Sequence, residues 1–376
     1  MTEEDPCLEA LSALGPKLLH LLAMLEFAGR HLHPPNLPAL ARELGPLADE
    51  VRAATEAMLA LEWPEPVVGV RDRIAEAATL ADGACAGMRA EGPDDVLTAY
   101  RALRRATQAQ EALWPLAAVL PPFSRYFLER DLPDSVAGPL LARAEARAGE
   151  GRPNRGLFHI DNERDARGGC TIYVPEWVPD TVPMPLVMAL HGGSGHGRDF
   201  VFSWLREART RGCIVIAPTS AERTWSFPEL MPDGVDRDAE RLFALVDQVR
   251  GLVPVDEDHM LLTGMSDGGS YALMAGLRED SPFTDLAPFS CVLSPALAAD
   301  GRLARARDRR VRWVHGALDW MFSPMVAQDG VLQLEQMGGA VEYVEHADLS
   351  HTYAREESAR TLDWLGVPQG RSVGIT

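Results

Sequence analysis

The chain has 376 residues, 46% hydrophobic and 24% charged, a globular mixture that excludes disorder throughout. Its formal net charge is −19, spread as 14 basic against 23 acidic side chains over residues 1–150 and 22 against 32 beyond, so neither half is a basic module and nucleic acid is not an expected partner. Five cysteines, none in a CxxC pair, argue against a disulfide framework or a cysteine-based zinc site.

The start, MTEEDPCLEA, is acidic where a secretory signal begins basic. No unbroken apolar run reaches the roughly 20 residues of a membrane span, so a cytoplasmic protein is expected. Leu8, Leu11, Leu14, Leu18, Leu22 and Leu25 recur at helical steps. Helix-length segments follow at Leu37–Leu61, Arg71–Arg89 and Asp94–Val119, each set off by Pro or Gly, with Asp94 and Asp95 placed to cap the last. Residues 1–148 therefore read as a helical domain resembling an antiparallel bundle.

A polar Gly/Pro link, AEARAGEGRPNRG (144–156), leads into residues 149–376, where short apolar runs alternate with helical stretches. LFHI (157–160) and CTIYV (170–174) read as an opening antiparallel pair. PLVMAL (185–190), CIVIA (213–217), HMLLTG (259–264), FSCVLS (289–294), VRWVHG (311–316) and VEYVEH (341–346) read as further strands, with a helix over 238–252. This alternation predicts the α/β class: a mostly parallel sheet covered on both faces, preceded by an all-α domain.

Four motifs sit where these strands end. Gly264-Met265-Ser266-Asp267-Gly268 follows a buried run, and a serine on a sharp strand-to-helix turn needs small residues two before and two after it. Leu190-His191-Gly192-Gly193-Ser194-Gly195 ends another run; it lacks the GK[ST] of a phosphate loop. Read together, the two loops offer an oxyanion hole from the N–H groups of Gly193 and Asp267, with Ser194 as a substitute donor. His315-Gly316-Ala317-Leu318-Asp319 and Asp348-Leu349-Ser350-His351 follow the last two strands. The chain order is thus Ser, Asp, His, each at a strand's carboxyl end. Asp348 is a rival for the acid. His191, His196, His315 and His346 read first as loop-packing residues.

LHGGSG, GMSDGG, HGALD and SHTY, in that order, make residues 156–366 similar to serine esterases of the α/β-hydrolase superfamily, of the phospholipase/carboxylesterase and polyhydroxybutyrate depolymerase-like groups. The resemblance implies the α/β-hydrolase fold, Ser266 as nucleophile, His351 as general base and then acid, and Asp319 as its orienting carboxylate. It implies carboxylic-ester hydrolysis of a small to medium acyl ester through an acyl-enzyme, with a small-molecule substrate and no cofactor or metal. Trp225, Phe227, Met265, Trp320 and Phe322 are candidate walls of a substrate pocket. Alternatives are a serine peptidase of the oligopeptidase type and a non-catalytic scaffold that binds a protein partner. The helical domain reads as a lid, a homodimerisation element or a docking module.

Overall fold

A computed structural model describes residues 5–89, 95–148, 152–231 and 234–370. The chain divides into two compact units, Met1–Arg130 and Asp131–Thr376. The first contains α1 (Pro6–Arg30), α2 (Leu37–Leu59), α3 (Val68–Met88), α4 (Asp95–Leu113) and α5 (Pro121–Tyr126). Asp94, half of the expected cap on α4, lies outside the described residues.

Here α1 packs on α2, α2 on α3 and α3 on α4, and α1 also meets α3 and α4. The leucine stripe of α1 is its core: Leu14, Leu18, Leu21, Leu22 and Leu25 are buried, while Leu8 is exposed. The packed helices α3 and α4 bury small residues, Ala77, Ala81 and Ala84 on one and Ala99, Ala102 and Ala106 on the other. They let the helices approach so closely that a Cβ on Gly87 would lie 2.2 Å from that of Ala102. By length and composition α1 could cross a membrane. The core helix of a helical bundle meets the same test, and the buried leucine stripe of α1 is of that kind.

The second unit begins with α6 (Asp134–Ala148), a helix that the composition change at residue 148 had grouped with the preceding ones. Among the described residues eight strands follow: β1 (Gly156–Ile160), β2 (Cys170–Val174), β3 (Met184–Leu190), β4 (Ile214–Pro218), β5 (Val255–Met265), β6 (Asp285–Phe289), β7 (Arg310–Gly316) and β8 (Ala340–His346). They form one sheet in the order β1-β2-β4-β3-β5-β6-β7-β8. β2 pairs antiparallel with both neighbours, and all other pairs are parallel. The helices are α7 (Gly197–Phe200), α8 (Leu205–Arg211), α9 (Asp238–Arg250), α10 (Asp267–Gly276), α11 (Ala296–Ala299), α12 (Pro324–Gln336) and α13 (Glu356–Leu365).

Every residue of β3 and β4 is buried, as strands covered on both faces must be. The edge strands β1 and β8 are partly exposed. One strand is displaced from its expected position. The run FSCVLS (289–294) begins where β6 ends; the strand itself, Asp285–Phe289, carries an aspartate and Pro288, which disguise it in the sequence. All five cysteines are buried free thiols, and burial pushes Cys170 up to about 11, far from a reactive thiolate.

Candidate active site

The strand order and the lone antiparallel second strand are those of the α/β-hydrolase fold, and they bring the carboxyl ends of β3, β5, β7 and β8 to one edge of the sheet. The four sequence motifs lie at those ends.

Ser266 joins β5 to α10 with φ 56° and ψ −124°, a conformation that a side chain adopts only under strain. The glycines on either side make the turn sterically possible. A Cβ on Gly264 would sit 2.4 Å from the backbone of Gly268, and one on Gly268 would sit 2.3 Å from the Leu190 carbonyl oxygen. The Ser266 N–H donates to the Phe289 carbonyl (2.9 Å), which ties the turn to the next strand. The serine thus stands at the N-terminus of a ten-residue helix, where negative charge is favoured.

His351 and Asp319 come to this serine from the loops after β8 and β7. The two loops are bound to each other: the Ala317 N–H donates to the His346 carbonyl and the Leu318 N–H to the Leu349 carbonyl, both at 2.9 Å. Gly316 has room only because it lacks a side chain, since a Cβ there would lie 2.2 Å from Leu349 O. The Ser266 hydroxyl donates to His351 Nε2 at 3.0 Å, and His351 Nδ1–H donates to Asp319 Oδ2 at 2.9 Å. Nδ1 carries the proton because a carboxylate only accepts. The other carboxylate oxygen, Oδ1, accepts the N–H groups of Met321 (2.9 Å) and Phe322 (2.7 Å). All three residues of the line are buried. Asp348, the rival acid, is exposed, and the partner of His351 is Asp319.

The glycine loop after β3 faces Ser266. A Cβ on Gly192 would lie 3.3 Å from Ser266 Cβ, and one on Gly193 would lie 2.7 Å from Asp267 Oδ2. The Asp267 N–H, first of its helix, has no acceptor within the helix. Its carboxylate accepts from the Thr224 hydroxyl at 2.5 Å. Ser194 differs from expectation. Its backbone has φ 55° and its N–H donates to the Arg223 carbonyl at 2.6 Å, so this N–H is already committed and is not a substitute oxyanion donor.

Two candidate pocket walls are also reassigned. Trp225 is fully buried, stacks on Tyr271 at 5.5 Å and donates its indole N–H to the His191 carbonyl (2.8 Å). Phe227 packs edge-on against the same Tyr271 at 5.6 Å. Trp225 thus holds the start of the glycine loop, and both rings pack on Tyr271 of α10 with almost no surface left to wall a pocket. Met265 is half-buried beside Ser266. Phe322 and Trp320 do reach the site, edge-on to the His351 ring at 5.2 Å and 6.5 Å.

Arg167 and Glu357, which the sequence did not signal, and His315, read there as a loop-packing residue, hold these loops. Arg167, between β1 and β2, donates to the carbonyls of Gly195 (2.6 Å), Ser220 (3.1 Å) and Glu222 (3.0 Å). It clamps the glycine loop to the segment after β4, which His191 Nε2 also holds by accepting the Ser220 N–H at 3.0 Å. Fully buried His315 donates from Nε2 to the Phe322 carbonyl at 2.9 Å, bracing the turn around Asp319, and burial holds it below the ordinary histidine range. Glu357 on α13, also fully buried, accepts from Arg312 of β7 (2.7 Å), from His346 (3.0 Å) and from Arg360.

Burial alone would push the Glu357 carboxyl up, but its three donors outweigh that and hold it at about 2, down from 4.5. A carboxyl depressed in the folded state stabilises the fold above its unfolded value and loses that contribution as pH falls towards 2. Glu357→Gln removes the buried charge that faces Arg312 and lowers the urea midpoint at pH 7. Because the wild type protonates the same group in acid, the gap between the two midpoints narrows as pH drops below about 4.5. A gap independent of pH would contradict the assignment.

No family model matches the chain, and no curated protein matches it. Solved structures do. A thermostable esterase is 19% identical over 56% of this chain and 62% of its own length, with a TM-score of 0.42. The fluorophosphonate-binding serine hydrolase F of Staphylococcus aureus is 17% identical over 56% of this chain and 98% of its own, with a TM-score of 0.45. An acetyl xylan esterase from Aspergillus awamori is 16% identical over 56% and 99%, with a TM-score of 0.44.

Proposed function

We propose that this chain is a serine hydrolase of carboxylic esters. The observation that carries the reading is the hydrogen-bonded line from Ser266 through His351 to Asp319, with its serine on a strained turn at a helix N-terminus. A free serine hydroxyl is a weak nucleophile at neutral pH. In this reading Ser266 Oγ attacks the acyl carbon while its proton passes to His351 Nε2. Asp319 keeps the imidazole in the Nδ1–H tautomer and stabilises it once charged. The N–H groups of Gly193 and Asp267 meet the oxyanion. Collapse breaks the carbon–oxygen bond to the alcohol, which takes the proton from His351 Nε2 and leaves an acyl-Ser266 ester. Water then attacks that ester by the same steps in reverse order of roles, releasing the acid and restoring the serine.

The test is hydrolysis of p-nitrophenyl esters from acetyl to palmitoyl, with a first turnover of nitrophenolate faster than the steady state. Absence of turnover across the series overturns the ester reading, and turnover of short peptides in its place would establish the peptidase alternative.

Arg167 gives a second check. Removing its clamp lets the glycine loop shift against Ser266, and small misplacements of a catalytic group are costly. Arg167→Ala is expected to lower kcat on the order of 10- to 100-fold with little change in KM. An unchanged kcat would show that the loop holds its position without the arginine.

A further inference from the structure

The candidate site is polar on one side and apolar on the other. Beside Gly193 lies the Asp267 carboxylate, which accepts from the Thr224 hydroxyl. Towards His351 lie the rings of Phe322 and Trp320, both edge-on to the imidazole. The apolar side continues along the chain. Leu318, Trp320, Met321, Met325 and Val326 are between 39% and 76% exposed, and all five fall within nine consecutive residues that contain Asp319. Large apolar side chains left this exposed in a cluster mark a surface that meets something apolar.

The reaction chemistry says which part of a substrate that is. His351 Nε2 must deliver its proton to the departing oxygen, so that oxygen lies within hydrogen-bond reach of Nε2. The alcohol's carbon chain then runs out over the imidazole and its neighbours, while the acyl chain leaves the tetrahedral carbon in a different direction. We infer that Trp320 and Phe322, extended by Met321 and Met325, form a leaving-group subsite that takes esters of an apolar alcohol. The inference rests on the ester-hydrolase reading and assigns these residues to the alcohol, where the sequence alone suggested a general pocket wall. A second copy of the chain or another protein is a different occupant of the same band. The ring contacts with His351 favour the substrate, since a partner surface has no need to begin at the catalytic imidazole.

Two ester series test this. In alkyl acetates from methyl to octyl the acyl group is fixed, and in methyl esters from acetate to octanoate the alcohol is fixed. Burying a methylene fully is worth about fourfold, so a half-exposed wall gives about twofold per methylene. The expected result is kcat/KM rising about twofold per methylene along the alcohol series. Trp320→Ala flattens that slope and leaves the dependence on acyl length unaltered, whereas Trp320→Phe keeps most of it. The subsite is overturned if alkyl acetates react at rates independent of alcohol length, or if Trp320→Ala alters acyl preference instead. It is also overturned if Met325→Asp changes the oligomeric state by light scattering while the alcohol slope stays intact. Absence of turnover in both series overturns the ester reading itself, a result distinct from turnover with no alcohol slope.

Discussion

Ser266→Ala is expected to lower kcat on the order of 10⁶-fold on any ester the wild type hydrolyses. The size follows from the way the parts act as a unit. In the proposed mechanism no acyl-enzyme forms without the serine oxygen, and His351, hydrogen-bonded to that hydroxyl, has no proton to take. What remains is the polarising effect of the N–H groups on a bound ester. The substitution is also expected to leave the fold intact or slightly more stable. The turn keeps its strained backbone at φ 56°, alanine occupies no more space than serine, and the donor to Phe289 is the backbone N–H, which alanine retains. Circular dichroism and a thermal midpoint beside the kinetics separate lost chemistry from lost structure. A variant with more than about 10⁻³ of wild-type activity would mean that another group is the nucleophile.

Asp319→Asn should cost about 10⁴-fold in kcat, and the structure gives the reason. Two backbone donors, the N–H groups of Met321 and Phe322, point at Oδ1. The amide oxygen of an asparagine settles there, because an NH₂ facing two donors would have no acceptor. The NH₂ is thereby left at the Oδ2 position, facing His351 Nδ1. An imidazole met by a donor at Nδ1 must place its own proton on Nε2, and that nitrogen can then no longer accept from Ser266. Shape and packing are almost unchanged, so folding should survive. Activity equal to wild type would mean that Asp319 does not set the tautomer.

Much of this site was legible in the sequence because its requirements are local. The serine turn needs glycine two before and two after it, and Gly264 and Gly268 stand there with no room for a Cβ. The chain order Ser, Asp, His at three strand ends was likewise readable, and the three side chains do converge. What was not legible depends on long-range packing. Arg167 is one of 36 basic residues, and nothing nearby in sequence sets it apart from a solvated arginine. Its value lies in carbonyls of residues 195, 220 and 222 that folding brings to it. Trp225 failed as a pocket wall for a related reason. Its position after a strand said that it was near the loops, but not that its indole turns inward to the His191 carbonyl. Strand β6 was missed in position because Pro288 and Asp285 break the apolar pattern that the parallel neighbours otherwise impose.

The central claim is that Ser266 is an activated nucleophile. The most direct measurement is the intact mass of the protein after brief exposure to a fluorophosphonate, followed by mapping of the modified peptide. A phosphonate reagent reacts with a serine made nucleophilic by its base and not with an ordinary hydroxyl. The account predicts one adduct per chain, on the peptide that contains Ser266, and none in Ser266→Ala. An unmodified protein, or an adduct on another residue that persists in the variant, would contradict it.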